Sequence, residues 1–212
     1  MSIESLKMAI VDGDDETAKA VTEELVKAGT APLDVMKSAV QPALTEVSDK
    51  LVSGEMFISD LILTGEAAKA CINLITPLLE KAGGGKYLGK VVLGVVEGDT
   101  HDIGKDIVKA MLIGAGFDVV DLETNVLPSR FIEAIKKHNP QIVGASAYTS
   151  ASAHEIPKLN QALIEANVRD RIKLLIGGAS VYRDDVPTYG ADDFGYDALE
   201  AVQVAKRMVR GA

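Results

Sequence analysis

Residues 97–104 contain three positions whose types and spacing could form a metal-ligand site. Asp99 precedes His101 by two positions, so its carboxylate can accept the proton of one imidazole nitrogen. The other nitrogen then keeps an outward lone pair, as is usual behind a histidine metal ligand. Gly104 opens a predicted helix without a side chain, which lets a bulky group approach the backbone. Taken alone, the pattern fits a polar loop without a ligand equally well.

Two later segments also have unusual loop compositions. Residues 146–152 carry a Ser or Thr at four of seven positions. These are Ser146, Thr149, Ser150 and Ser152, with Tyr148 among them. The glycines Gly177 and Gly178 follow another apolar run and are expected to open backbone space beside it. Hydroxyl groups of this kind can hydrogen-bond a polar ligand held between strands.

A regular alternation of strand and helix patterns from residue 90 onward positions these segments. Strands are predicted over residues 90–96, 117–122, 141–146, 172–176 and 192–195. Helices are predicted over residues 104–115, 129–138, 152–167 and 197–210, with Ser129 as the cap of the second. Strands this rich in Val and Ile indicate a parallel sheet covered by helices on both faces. In the flavodoxin-like order 2-1-3-4-5, strands 1, 3 and 4 are neighbours, so the three segments converge on one sheet edge.

The first 82 residues have apolar positions at helical spacing and predict a bundle of four or five helices. Helices after the first are expected to start at Asp14, Thr30, Pro42 and Ser59. Three consecutive glycines then predict a flexible joint. The expected organisation is a helical domain over residues 1–82, a Gly-rich linker over 83–89 and an α/β domain over 90–212.

The composition excludes several classes of protein. The chain has 22 Lys and Arg against 31 Asp and Glu, and the resulting net charge of −9 disfavours nucleic acid or an anionic membrane as a partner. No apolar run approaches about 20 residues and no secretory signal is recognised, so we expect a soluble cytoplasmic protein. The single cysteine, Cys71, excludes an intramolecular disulfide and a cysteine metal cluster. Its apolar surroundings predict an inert core residue.

The run Asp99-x-His101-x-x-Gly104, followed by Ser146-x-Tyr148 and by Gly177-Gly178, resembles the cobalamin-binding signature of methyltransferase corrinoid proteins. The preceding helical segment, including residues 54–58, resembles the helical cap of the same proteins. The resemblance covers nearly the whole chain, and it extends to the cobalamin module of methionine synthase. It implies an N-terminal helical bundle cap and a C-terminal flavodoxin-like or Rossmann-like cobalamin-binding domain.

The resemblance assigns a role to each residue of the first motif. Cobalamin is expected to bind with its own dimethylbenzimidazole base detached from cobalt, and His101 is expected to supply the lower axial nitrogen. Asp99 is expected to orient and polarise this imidazole. Ser152 falls where the methionine synthase pattern completes a relay of hydroxyl, carboxylate and imidazole. Ser146 is expected to bond the nucleotide tail of the cofactor, against which the two glycines would pack.

Three features depart from the usual pattern of the family. Tyr148 stands where Leu is usual, which changes the packing expected around the buried base. Ser150 replaces the usual Thr and keeps the hydroxyl. The cap lacks the usual Met- and Gly-rich stretch, so the residue that covers the upper face of cobalt stays open between Met56 and Phe57, and both also fit a plain core role.

The function implied by the resemblance is that of a methyl carrier without complete activity of its own. Cob(I)alamin would take a methyl group from a substrate held by one methyltransferase. Methylcobalamin would then donate it to a thiol or tetrahydrofolate-type acceptor on a second methyltransferase, with a reductive activase as a further partner. The donor stays open among methylamines, methanol, glycine betaine and methoxylated aromatics, because the partner enzyme selects it.

Three other functions fit the sequence less well than the methyl carrier does. The small subunit of an adenosylcobalamin-dependent mutase usually lacks a helical cap, so residues 1–82 count against it. A light- or cobalamin-responsive regulator requires a basic DNA-binding helix-turn-helix, which neither the net charge nor the N-terminal helices provide. A signalling receiver with Asp99 as phosphoacceptor leaves the helical segment, His101 and the hydroxyl-rich loop without a role.

Overall fold

The structure of the chain is a computed structural model that describes residues 2–82 and 87–210. It divides into two compact units, Met1–Gly84 and Gly85–Ala212. Residues 83–86, the main part of the predicted glycine-rich linker, lie outside the described residues. The predicted fold class is confirmed, because the described part of the first unit is helical and the second unit is a parallel sheet with helices.

The N-terminal unit is built from helices that bury one apolar side. They are α1 (Ile3–Val11), α2 (Asp15–Lys27), α3 (Pro32–Val35), α4 (Gln41–Ser53) and α5 (Ile58–Ala82), with a π-helix over Met36–Val40. Helices α1 and α2 begin at capping residues, since Ser2 and Asp14 accept hydrogen bonds from backbone N–H groups of the first turn. Side chains at helical spacing, among them Leu6, Ile10 and Ile75, are fully buried and form the core of this unit.

The segment around Pro42 differs from the prediction. Separate helix starts were expected at Thr30 and Pro42, but one continuous helical segment covers residues 32–53. Proline has no N–H, and its ring collides with the carbonyl four residues earlier in an α-helix. The π-helix Met36–Val40 precedes this proline, and the N–H of Gln41 bonds to the carbonyl five residues earlier. Pro42 therefore lies in the first turn of α4, as predicted, but the π-helix joins α4 to the preceding helix without a break.

Helix α5 also departs from the sequence expectation. Its segment Asp60–Lys81 has the length and apolar composition of a membrane-spanning helix, although no such stretch was expected. Within the N-terminal unit, this helix buries Ala67, Cys71 and Ile75 completely. Core packing therefore accounts for only part of its apolar character, since 39% of the apolar stretch is buried. The predicted burial of Cys71 is confirmed, and that burial raises the pKa of its thiol.

The described part of the C-terminal unit, residues 87–210, contains five parallel strands. They are β1 (Lys90–Val95), β2 (Asp118–Asp121), β3 (Ile142–Ser146), β4 (Lys173–Gly177) and β5 (Asp193–Gly195). Their order is β2-β1-β3-β4-β5, which confirms the predicted flavodoxin-like topology. Val95 pairs with Ser146, and Ser146 pairs with Gly177. The carboxyl ends of the three central strands therefore lie side by side.

Helices follow the strands in sequence. They are α6 (Ile103–Gly114), α7 (Pro128–His138), α8 (Ser150–Ala153), α9 (Glu155–Glu165), α10 (Asp185–Tyr189) and α11 (Ala198–Arg210). Ser129 is not a cap, because α7 begins one residue earlier at Pro128. The helix predicted over 152–167 is divided at His154 into α8 and α9. Pro157 causes this break, since it cannot donate to the carbonyl four residues earlier.

Candidate functional site

The loops that follow the three central strands meet at one edge of the sheet. Asp99 lies between β1 and α6, and its Oδ2 atom accepts a hydrogen bond of 2.6 Å from the backbone N–H of Tyr148, which follows β3. The loop after β4 joins them, because the hydroxyl of Ser180 donates to the Tyr148 carbonyl at 2.8 Å. The structure thus brings together the three segments that the sequence singled out.

Asp99 is the buried centre of this cluster, with only 1% of its surface exposed. Its Oδ1 atom accepts from the imidazole Nδ1 of His101 at 2.7 Å and from the backbone N–H of the same residue at 3.0 Å. Its Oδ2 atom accepts from the Ser152 hydroxyl at 2.5 Å, in addition to the bond from Tyr148. Both carboxylate oxygens therefore have protein donors.

The pKa of Asp99 results from two opposing effects. Burial raises it, because a carboxylate loses its hydration. Hydrogen bonds to the charged form, led by that from Ser152, outweigh burial and hold the pKa of Asp99 well below its ordinary value. The group is therefore ionised at neutral pH. An anionic acceptor opposite Nδ1 of His101 keeps the proton on that nitrogen and leaves Nε2 with a lone pair.

One edge of the His101 imidazole is hydrogen-bonded to Asp99, and the opposite edge is exposed. Its side chain is 51% exposed, although Nδ1 bonds to a buried carboxylate. Within the described residues, its Nε2 atom has no hydrogen-bond partner. One face of the imidazole stacks on the ring of Tyr148, with 4.2 Å between centroids and 17° between planes. The arrangement leaves one imidazole nitrogen open to a ligand.

Ser152 is placed by the first turn of α8. The backbone N–H of Ser152 donates to Oγ1 of Thr149 at 3.1 Å, and the N–H of Thr149 donates back to Oγ of Ser152 at 3.1 Å. This reciprocal capping box fixes the hydroxyl of Ser152, a buried residue, opposite Asp99. Ser152, Asp99 and His101 accordingly form one chain of hydrogen bonds, in the order that the resemblance implied.

Asn125 forms hydrogen bonds to the backbone of the loop that contains Asp99. The sequence pattern does not predict this role. Its side-chain oxygen accepts from the N–H of Gly98 at 2.8 Å, and its own N–H donates to the Asp99 carbonyl at 2.9 Å. Asn125 has a positive φ of 53°, which Asn tolerates better than most residues. An Asn in a loop after a strand is the signal that could have indicated this role.

A buried ion pair at the start of α6 was also not foreseen. Lys105 is 3% exposed, and its Nζ atom lies 2.6 Å from Oδ2 of Asp121 at the end of β2 and 2.6 Å from Asp106. Burial lowers the pKa of Lys105, but the two carboxylates outweigh this effect and raise it above its ordinary value. The pair fastens the first turn of α6, and with it the loop of His101, to the neighbouring strand.

The two predicted glycines have a role within the fold that differs from the expectation. A Cβ atom at Gly177 would lie 2.8 Å from the carbonyl oxygen of Gly195, and one at Gly178 would overlap the carbonyl of Ala147. Gly178 also has φ of +120°, which residues with a Cβ atom rarely adopt. At both Cβ positions the space is filled by neighbouring backbone, so the glycines permit close approach between strand ends.

The other predicted residues lie around this cluster without hydrogen bonds to it. Ser146 is half-buried at the end of β3, and Ser150 is exposed at the start of α8. Gly104 is exposed in the first turn of α6, with open space where a Cβ atom would lie. In the N-terminal unit, Met56 is half-buried and Phe57 is 72% exposed, so Phe57 is not a core residue.

Comparisons with known proteins identify two matching domain families and similar proteins. A B12 binding domain model matches residues 89–204, and a second B12 binding domain model matches residues 2–76. The trimethylamine corrinoid protein of Methanosarcina barkeri is 40% identical over 205 residues, which cover 96% of this chain and 94% of that protein.

Solved structures extend the similarity to the fold of the whole chain. The monomethylamine corrinoid protein of Methanosarcina barkeri is 32% identical, covers 95% of each chain and superposes with a TM-score of 0.84. The methanol:cobalamin methyltransferase complex MtaBC of the same organism contains a chain that is 27% identical. That match covers 99% of this chain and 80% of the other, with a TM-score of 0.57. The chain therefore belongs to the corrinoid protein family of methyltransferase systems, and its cofactor is cobalamin.

Proposed function

We propose that this chain carries methyl groups on a cobalamin bound base-off, with His101 as the lower axial ligand of cobalt. One observation supports the proposal above all others: an exposed imidazole has its Nδ1 atom 2.7 Å from a buried carboxylate, and among residues 2–82 and 87–210 its Nε2 atom has no hydrogen-bond partner. Neutral imidazole nitrogen is a suitable ligand for transition metals. The donor chemistry of the described residues therefore fits the cofactor of the family.

The residues behind His101 would control its properties as a ligand. Asp99 would hold the imidazole in one tautomer, and Ser152 would hold the Asp99 carboxylate in place through its hydrogen bond. When bound, cobalamin would supply the nucleophilic cobalt centre at which a methyl group is accepted and released. The chain would contribute ligation, orientation and shielding from water.

Further contacts to the cofactor are proposed along the same sheet edge. They come from Gly104, Ser146, Tyr148, Ser150, Gly177 and Gly178. Ser146 would bond the nucleotide tail, and the glycine pair would pack against it. This proposal is supported by the register of the strands, which places Ser146 between Val95 and Gly177.

The proposed partners are a substrate-specific methyltransferase and a second methyltransferase that takes the methyl group to a thiol or tetrahydrofolate-type acceptor. A reductive activase would return oxidised cobalt to the cob(I)alamin state. The relatives whose names mention methylamines support a methylamine as the methyl donor. The complex of a similar chain with a methanol methyltransferase supports direct docking of such an enzyme.

The domain organisation proposed for this function keeps the predicted boundaries. Residues 1–82 would form the helical cap domain, 83–89 the linker and 90–212 the cobalamin-binding domain. We place the protein in the cytoplasm, where its partner methyltransferases and reduced folate or thiol acceptors would be expected. Its net charge of −9 supports partners other than nucleic acid or anionic membranes.

Two rival functions are less well supported. A mutase subunit is not favoured, because the similarity to corrinoid proteins includes the N-terminal helical unit. A phosphoacceptor role for Asp99 is disfavoured by its burial, because both of its carboxylate oxygens already accept hydrogen bonds and only 1% of the residue is exposed.

Electron paramagnetic resonance of the cob(II)alamin state tests the proposed ligand directly. The protein is produced with either ¹⁴N- or ¹⁵N-histidine, loaded with unlabelled cobalamin and reduced by one electron. A histidine ligand changes the nitrogen splitting from three lines to two when ¹⁵N replaces ¹⁴N, because their nuclear spins differ. Splitting that stays at three lines in both samples would mean that the cofactor's own base remains on cobalt.

Matched variants identify which histidine is bound. The chain has three histidines, and His138 and His154 lie at the end of α7 and between α8 and α9. His101→Ala should abolish the isotope-dependent splitting, whereas His154→Ala should leave it unchanged. A normal isotope effect in His101→Ala would disprove the assignment.

A further inference from the structure

The stacked pair formed by Tyr148 and His101 is held together by backbone bonds on both sides of Tyr148. Its N–H donates to Oδ2 of Asp99 at 2.6 Å, and its carbonyl accepts from the hydroxyl of Ser180 at 2.8 Å. Tyr148 is 45% exposed, yet its ring lies parallel to the imidazole, with 17° between the planes. The backbone thus delivers an exposed aromatic ring to the face of His101.

The stack restrains a motion that Asp99 alone would leave free. A hydrogen bond to Nδ1 fixes the tautomer, but the imidazole plane can still swing about the line that joins Nδ1 to Oδ1. An aromatic ring 4.2 Å away on one face opposes that swing. The direction of the Nε2 lone pair then depends on two contacts: the carboxylate at the ring edge and the phenol ring on the face.

We propose that Tyr148 is a positioning residue that fixes the plane of the His101 imidazole for ligation. The consequence for cobalt depends on the proposed function, whereas the stack itself does not. A leucine at this position would present no aromatic face, so Tyr148 supplies a restraint on the imidazole plane that an aliphatic side chain could not supply.

Nuclear magnetic resonance of the protein without cofactor tests the stack. With ¹³C-histidine, three Cε1–H signals are expected, and His101→Ala identifies one of them by its loss. Tyr148→Leu should move the His101 signal downfield, because the shielding ring current of Tyr148 disappears, and Tyr148→Phe should preserve the wild-type position. Tyr196→Leu, which removes another exposed tyrosine, is the control and should have no effect. An unmoved His101 signal in Tyr148→Leu would overturn the proposal.

The midpoint potential of the cob(II)alamin/cob(I)alamin couple tests the effect on ligation. Cob(I)alamin has no axial ligand, so a weaker bond from His101 to cob(II)alamin raises the potential. Loss of the stack in Tyr148→Leu should weaken ligation by about three- to tenfold, which corresponds to an increase of about 30 to 60 mV for one electron. Tyr148→Phe should restore the wild-type potential. Equal potentials in wild type and Tyr148→Leu would contradict the positioning role.

The two measurements separate this proposal from the proposed function. If histidine isotopes leave the spectrum of cob(II)alamin unchanged in the wild type, axial ligation by His101 fails, and so does the positioning role for ligation. If the isotope effect is present but Tyr148→Leu changes neither the His101 signal nor the potential, only the role of Tyr148 fails.

Discussion

The hydroxyl oxygen of Ser152 lies 2.5 Å from Oδ2 of Asp99, although 53 positions separate the two residues in the chain. Ser152 is fixed by a capping box at the start of α8, and Asp99 is fixed in the loop after β1. The first turn of α8 therefore supplies one of the hydrogen-bond donors to the carboxylate that contacts His101. Because the hydrogen bond from Ser152 lowers the pKa of Asp99, that pKa depends on the folding of α8.

Replacement of Ser152 by Ala should destabilise the protein. The buried, charged Asp99 loses one hydrogen-bond donor, which should lower the free energy of unfolding at neutral pH by about 1.5–3 kcal/mol. Urea denaturation measures the change. Ser150→Ala is the matched control, because Ser150 is exposed on the same turn, and its effect should stay within about 0.5 kcal/mol. Equal losses in the two variants would argue against a special bond from Ser152.

Replacement of Lys105 by Met should lower the free energy of unfolding more than replacement of the nearby Lys109 by Met. The first change leaves Asp121, with 14% of its side chain exposed, without its closest cation, and should cost about 3 kcal/mol. The second removes a more exposed partner of the same carboxylate and should cost less than about 1 kcal/mol. Thermal or urea unfolding distinguishes the two. A smaller loss in Lys105→Met than in Lys109→Met would refute the structural role of the buried pair.

Replacement of Gly178 by Ala should disrupt the sheet edge. The new Cβ atom would overlap the carbonyl of Ala147 and would sit on backbone with φ of +120°, so we expect a loss of about 3 kcal/mol or more. Gly98→Ala is the control, since its φ of +77° is also positive but its Cβ position is open, and about 1 kcal/mol is expected there. Similar losses in both variants would show that the contact with Ala147 contributes little.

Stability should depend on pH through Asp192. Burial raises the pKa of its carboxyl, but the N–H of Leu174 and the charge of Arg169 outweigh that effect, so the pKa lies below its ordinary value of 3.8. Below pH 3.8 the unfolded chain therefore binds more protons at this site than the folded chain, and acid favours unfolding.

The corresponding experiment compares wild type with Asp192→Asn across pH. The wild type should be the more stable protein at pH 7, and the gap in unfolding free energy should shrink as pH falls below about 4. Urea denaturation at several pH values measures the gap. A gap that is constant between neutral and acidic pH would contradict the lowered pKa.

The strand order and the pairing of Asp99 with His101 could be predicted from the sequence because both depend on short-range patterns. Apolar runs alternating with helical spacing restrict the sheet to few topologies, and two residues separated by one position are close in any loop. The link from Ser152 to Asp99 was implied only by family resemblance, since no local pattern indicates a contact across 53 positions.

Other features depended on tertiary structure that the sequence pattern does not encode. Asn125 gains its role from the pairing of two loops, and Lys105 from the distance between α6 and β2. Pro42 lies at the predicted helix start because proline favours the first turn, but the π-helix that joins α4 to the preceding helix has no signal in the sequence pattern. Gly177 and Gly178 are expected from the sequence to leave open space beside their strand, whereas neighbouring backbone occupies the positions where their Cβ atoms would lie.

The position of Ser152 late in the chain has a consequence for biosynthesis. His101 is synthesised some fifty residues before the donor that completes the arrangement of Asp99. A nascent chain that ends before α8 would contain the imidazole of His101 but not the hydroxyl of Ser152 that donates a hydrogen bond to its carboxylate partner. The complete chain of hydrogen bonds through Ser152, Asp99 and His101 can therefore form only after the third strand and the turn that follows it have left the ribosome.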